Sequence, residues 1–177
     1  MPCSNRRREA PWAWALLLAG AAVLVSSMAG AQVVRQAERY GDWSLYVDTS
    51  PAKQLCFAAS QPANSEPKNA SRNGTYVYIS AWPKDGVKTE ISVKLGYNGK
   101  KGGAVTATIG PDAFKLFIKD DRAFIADAAN EAKLLDAMKK GTRMVVLATS
   151  EKGLVTSDVY SLSGLSQALQ ALATVCK

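Results

Sequence analysis

From Tyr40 onward, apolar residues mostly recur at every second position, the spacing that turns one face of a strand towards a core. Trp43, Leu45 and Val47 form one such run, and Val77, Ile79 and Ala81 another. Ile91, Val93 and Leu95 alternate with Ser92 and Lys94; Val105, Ala107 and Ile109 alternate with Thr106 and Thr108. Phe114, Leu116 and Ile118 share a face, and later come Val145 with Leu147 and Val155 with Val159. With the short runs at 55–59 and 123–125, the pattern predicts about nine strands. They are short and separated by turn residues, so antiparallel pairing is expected. Asp120-Asp121 and Glu151-Lys152-Gly153 read as tight turns between strands.

Two segments carry a helical pattern instead. In 127–140, Asp127 is placed to cap the start, and Glu131 sits near the positive end of the helix dipole. Lys139 and Lys140 sit at the negative end, and Gly141 supplies the stop. Ala128, Leu135 and Met138 would form its buried side. In the last helix Ser163 can cap, and Leu165, Ala168, Leu169, Leu172, Ala173 and Cys176 make one continuous apolar stripe. The fold class expected is mainly β: an antiparallel β-sandwich-like domain with two helices, one at the C-terminus.

The N-terminus breaks the strand pattern. Arg6, Arg7 and Arg8 precede a charge-free apolar run at 13–25, and Ala29-Gly30-Ala31 follows with small residues. That order is a secretory signal peptide over 1–31, cleaved between Ala31 and Gln32. The run is short for a ~30 Å bilayer core, and an uncleaved signal anchor is the competing reading. Residues 32–39 then form a polar, flexible lead-in, and 40–177 a single domain.

Cleavage changes the composition. The 177-residue chain carries a formal net charge of +7; removing three arginines and Glu9 with the first 31 residues leaves 146 residues and +5. That excess is too small to nominate a nucleic-acid partner, and the aromatic-basic signature of RNA-binding modules is missing. Three cysteines become two, Cys56 and Cys176. In an exported chain, periplasmic or secreted, an even count points to a disulfide. Cys176 lies on the core side of the last helix, and Cys56 shares its strand face with Ala58 and Ser60, small enough to let a helix approach. Two separate thiols, or a bridge between chains, are the alternatives.

Candidate chemistry is sparse. The chain has no histidine, which removes His-ligated metal, Ser-His-Asp and Cys-His systems. Asp120-Asp121 suits a turn better than a carboxylate pair. Ser65-Glu-Pro-Lys68 matches Ser-x-x-Lys, but Pro67 opposes the helical turn that chemistry needs. No catalytic residue, metal or cofactor is expected. The polar stretch 61–75 and the glycine-rich stretch 96–103 remain, and they nominate Lys68, Arg72, Lys100 and Lys101 as an interaction surface. Lys84, Lys88, Lys94, Lys115 and Lys119 could extend a basic surface, but lysines on strand edges more often guard against aggregation.

Three stretches together carry a family resemblance: Tyr40-Gly-Asp-Trp43 at the first strand, Leu55-Cys-Phe-Ala58 in the second, and Tyr160-Ser-Leu-Ser-Gly-Leu-Ser-Gln-Ala-Leu169 ahead of Cys176. In that order they resemble the invasion-associated locus B family, from Tyr40 to Lys177. The resemblance implies an exported alphaproteobacterial protein with a β-sandwich-like core and no generally established catalytic activity, in a family named for a relative linked to host-cell invasion. The longer family pattern has a further cysteine pair late in the domain, whereas 126–137 holds none here. The expected function is therefore a non-enzymatic envelope or secreted interaction protein, whose partner is an envelope or host protein or a glycan. A structural or stress-protective periplasmic role is the alternative, and an envelope-polymer hydrolase a distant third.

Overall fold

The computed structural model describes residues 34–48 and 55–176. The expected signal peptide and its expected cleavage point at Ala31–Gln32 lie outside the described residues. Eleven strands form one sheet, with β1 (Val34–Tyr40), β2 (Trp43–Asp48), β3 (Cys56–Ser60), β4 (Asn64–Glu66), β5 (Tyr76–Trp82) and β6 (Val87–Lys94) coming first. Then come β7 (Ala104–Ile109), β8 (Asp112–Lys119), β9 (Arg122–Phe124), helix α1 (Ala128–Lys140), β10 (Arg143–Thr149), β11 (Val155–Ser161) and helix α2 (Leu165–Val175). The spatial order is β1-β2-β3-β5-β6-β9-β8-β7-β10-β11-β4, and every neighbouring pair is antiparallel. The mainly antiparallel β architecture with two helices matches the expected fold class.

The two additional strands are β1 and β4, and each corrects an expectation. Val34–Tyr40 pairs with β2 instead of forming a flexible lead-in, although its side chains stay almost wholly exposed. Backbone pairing at a sheet edge needs no apolar face, so periodicity could not reveal it. β4, inside the stretch 61–75, is another polar edge strand, paired with β11.

β4 also shows how the sheet curls. The chain leaves β3 at Ser60 and starts β4 at Asn64, a span of at most about 14 Å, yet the two strands lie far apart in sheet order. The sheet must therefore bend round until its two halves approach, as large twisted sheets do. The junction is stitched by hydrogen bonds. Trp43 Nε1 of β2 donates across it to Ser161 O of β11 at 3.1 Å; on either side of it, Ser60 Oγ donates to Asp42 O at 2.7 Å and Ala63 N to Val159 O at 2.8 Å.

Trp43, Leu45, Ile79, Ile91, Val105 and Leu116 fill the inside, as their alternation predicts. β10 and β11 differ. Their buried faces are Met144, Val146 and Ala148, and Thr156, Asp158 and Tyr160. Val145, Leu147, Val155 and Val159 point the other way, with Leu147 and Val155 exposed. Both faces of these strands carry large side chains, so pairing register rather than hydrophobicity selects the inward one. On the opposite side of β2, β3 and β5, Tyr46 stacks on Phe57 at 4.9 Å, and Phe57 meets Tyr78 edge-on at 5.7 Å.

Both helices cover the sheet. α1 packs on β6 and β8, and α2 on β1, β2 and β3. Asp127 caps α1 as expected, accepting from Asn130 N at 2.9 Å, but the buried side is Leu134 with Met138, Leu135 is half-buried and Ala128 is exposed. Glu131 accepts a hydrogen bond from Ile91 N at 2.6 Å, satisfying β6 just before β9 begins to pair with it. α2 is not capped by Ser163. It starts at Gly164, in the left-handed region at φ +87°, where a Cβ would lie 1.9 Å from Tyr40 O. Only glycine allows that approach, which also lets Asp42 N donate to Ser163 O at 3.1 Å. Cys176, just past α2, is bonded to Cys56 of β3 with 5.9 Å between Cα atoms, pinning the terminal helix to the sheet.

Candidate functional site

The two nominated loops meet at one end of the sheet. Asn73 N donates to Gly96 O at 2.9 Å, joining the segment 61–75 to the segment 96–103. Two hairpin turns join the same cluster. Leu95 N and Gly99 N donate to Asp121 O and Asp120 O, while Lys100 N donates to Thr149 O and Glu151 N to Asn98 O. Asp120-Asp121 is the two-residue turn between β8 and β9, with Asp120 at φ +56°, and the Glu151–Gly153 turn links β10 to β11.

Arg72 sits at the centre of this cluster and corrects the proposed surface. Its side chain is only 7% exposed and turned inward, towards Asp158 of β11, whose side chain is 1% exposed. Nη1 donates to Asp158 Oδ1 at 2.8 Å, Nη2 contacts Oδ2, and Nε donates to Leu95 O at 3.0 Å. Ser65 Oγ donates to the same carboxylate at 2.6 Å. The guanidinium also lies over the Tyr97 ring, 5.4 Å from its centroid, and Tyr97 OH shares a hydrogen bond with Thr156 Oγ1 at 2.6 Å. Burial opposes the Arg72 charge, but the hydrogen bonds and charge of Asp158 outweigh it and raise the Arg72 pKa. Nearby, burial pushes the Tyr160 phenol well above its ordinary pKa, with the Asp158 charge adding to the rise.

Lys68, Lys100 and Lys101 are exposed, as a contact surface requires. Lys68 donates to Asn64 and lies 3.7 Å from Glu66 Oε1. Ser65 and Lys68 are thus each engaged elsewhere, and their Ser-x-x-Lys spacing assembles no nucleophile pair. Asp158 escaped sequence reasoning, although a carboxylate in mid-strand between Thr156 and Tyr160 is a recognisable anomaly. Among the described residues, no group of three His, Cys, Asp or Glu is gathered to hold a metal ion. No helix among them is long and apolar enough to cross a membrane.

A second feature lies at the opposite end of the β5–β6 hairpin. α1, α2 and the hairpin turn enclose a groove of about 520 Å³, with Leu135, Leu169 and Leu172 on its helical sides and Ala81 and Val87 on the hairpin. Cys176 also lines it, placing the disulfide at its wall. The apolar stripe of α2 continued past its core residues through Leu169 and Ala173 to Cys176, and this flank forms the groove side.

A search of the curated proteins finds no match. The crystal structure of invasion associated protein B from Bartonella henselae is similar to this chain, with a TM-score of 0.57 and 19% sequence identity, covering 78% of this chain and 96% of that one. At that identity the likeness speaks for the fold. The family profile described as invasion associated locus B (IalB) protein matches residues 43–173, from the buried Trp43 almost to the bonded Cys176. By that match the chain belongs to the invasion associated locus B protein family.

Proposed function

We propose that the protein is exported through a signal peptide cleaved between Ala31 and Gln32 and acts in the periplasm or outside the cell as a non-enzymatic interaction protein. Its binding face is the loop end formed by 61–75 and 96–103, and its partner is an envelope or host protein or a glycan. One observation carries this reading: both loops are held together from inside by Arg72, leaving Lys68, Lys100 and Lys101 on a preorganised outer face. Preorganisation reduces the ordering cost of binding, which favours specific contacts by a surface of modest charge. The structurally similar Bartonella protein is named as invasion associated, which is compatible with this reading.

Crosslinking of the tagged protein in intact cells, read by mass spectrometry, tests the reading. A reproducible partner is expected with the natural loop face, and it should be lost from a Lys68→Glu/Lys100→Glu/Lys101→Glu variant that folds normally. Equal recovery by that variant would move the binding face elsewhere. No partner at all would leave the structural or stress-protective role. N-terminal sequencing of the exported protein should start at Gln32; recovery of the uncleaved chain would refute the export step as drawn.

A further inference from the structure

We propose that the groove between α1, α2 and the β5–β6 hairpin binds a single long acyl chain ending in a carboxylate. Small-molecule sites are concave, mainly apolar, and typically occupy about 300–1,000 Å³, and the 520 Å³ here falls inside that range. The walls are aliphatic, from Leu135, Leu169 and Leu172 on the helices to Ala81 and Val87 on the hairpin. They offer a methylene chain contacts all along its length, and no side-chain network to read a polar ligand.

The charge around the groove decides which amphiphile fits. Lys88 of β6 and Lys139 of α1 both line it and are exposed, while no Asp or Glu does so among the described residues. Lys88 makes no ion pair among the described residues. Lys139 lies 3.7 Å from Asp136, but both side chains are largely exposed, and such a pair is weak enough to exchange for a better anion. An aliphatic trough lined by two ammonium groups, with no carboxylate among its described lining residues, complements a ligand that is apolar along its length and anionic at one end. A cationic amphiphile of equal length would gain the same burial and meet repulsion at the mouth.

The site is independent of the loop face. Ala81 and Val87 stand at the turn end of the β5–β6 hairpin, whereas the loops meet beyond Thr75 and Leu95 at its other end. Failure of one reading therefore leaves the other intact.

Calorimetric titration of the disulfide-intact protein with sodium dodecanoate, below its micelle concentration, tests the proposal. Saturable one-to-one binding is expected, strengthening about two- to fourfold per added methylene from octanoate upward. Ala173, exposed on α2 and lining the groove, offers a blocking position that spares the core. Ala173→Trp should weaken dodecanoate binding at least tenfold, with far-UV circular dichroism unchanged. Lys88→Gln/Lys139→Gln should weaken it about five- to tenfold and strengthen dodecyltrimethylammonium binding, because the repulsion at the mouth is gone. The proposal is overturned if dodecanoate does not bind saturably. It is equally overturned if a folded Ala173→Trp protein binds undiminished, or if dodecyltrimethylammonium binds the natural protein as tightly as dodecanoate does.

Discussion

Asp158 is a carboxylate on the inward face of a strand, and three side chains from two separate segments have arranged themselves around it. Arg72 meets it with two nitrogens, Ser65 donates to it, and Tyr97 packs against the guanidinium. Removing one partner of a buried pair strands the other charge, at a cost of about 3–5 kcal/mol. Arg72→Met should therefore lose that much in urea denaturation, while Arg72→Met/Asp158→Leu should recover most of it. A loss below about 1 kcal/mol for the single variant would mean that the pair does not hold the loops. Tyr160 provides the contrast, because its buried hydroxyl has no hydrogen-bond partner among the described residues. Tyr160→Phe removes a desolvated group that gains nothing, so stability should be unchanged or slightly higher. At α1, the Asn130 N–H bond to Asp127 is the main reason that the Asp127 pKa is lowered. A lowered folded-state pKa gives stability that is present above the unfolded value and lost as pH falls through the folded one. The melting-temperature deficit of Asp127→Ala should therefore be plain at pH 7 and shrink below the ordinary carboxylate range. The Asp127 cap is local and was legible; Arg72 and Asp158 are 86 residues apart, and nothing near either names the other.

Elements inherit these residue-level conflicts. β7 buries the side chains the alternation marks; β2 and β5 bury Trp43, Leu45, Val77, Ile79 and Ala81 as marked but also Asp48 and Ser80, and β8 buries Leu116 with Phe114 and Ile118 half-buried beside it. β10 and β11 carry apolar side chains on the outward face and place Asp158 and Thr156 inside. Their inward choice depends on pairing with each other and with β7, across a register set by the Ser150–Leu154 turn. α2 shows the opposite case. Its stripe was plain, and Leu165, Ala168 and Leu172 are buried where it placed them. The disulfide adds a long-range constraint to this docking, across a sequence separation of 120. The chain-entropy account assigns a loop of that size about 5 kcal/mol at most. Cys176→Ser should therefore lower the urea midpoint while leaving far-UV circular dichroism nearly native, since the buried leucines still dock. An unchanged midpoint would show that the bridge adds nothing beyond that packing.

Across the whole molecule, the curled sheet sets what is firm and what is loose. β5 has partners on both sides along most of its length, β6 has them at Ser92–Lys94, and the two carry Ile79, Ile91 and Val93 inside, whereas β1 is an exposed edge. Native-state hydrogen exchange should find the slowest amides in β5 and β6 and fast ones in β1. Arg72→Met should accelerate exchange in 61–75 and 96–103 while sparing β5 and β6 cores; uniform acceleration would contradict a local pin. By itself the sequence determined most strands, both helices, the acidic cap and the hairpin turns. It also pointed to the Cys56–Cys176 pair through helix and strand faces. These are short-range signals, written in the spacing of a few neighbouring side chains. Only the tertiary structure decided the closure of the sheet through β4, the inward faces of β10 and β11, the burial of Arg72 and the groove beside the disulfide. Each of those depends on which distant backbone pairs with which, and a hydrophobic pattern constrains a face only when the opposite face is polar.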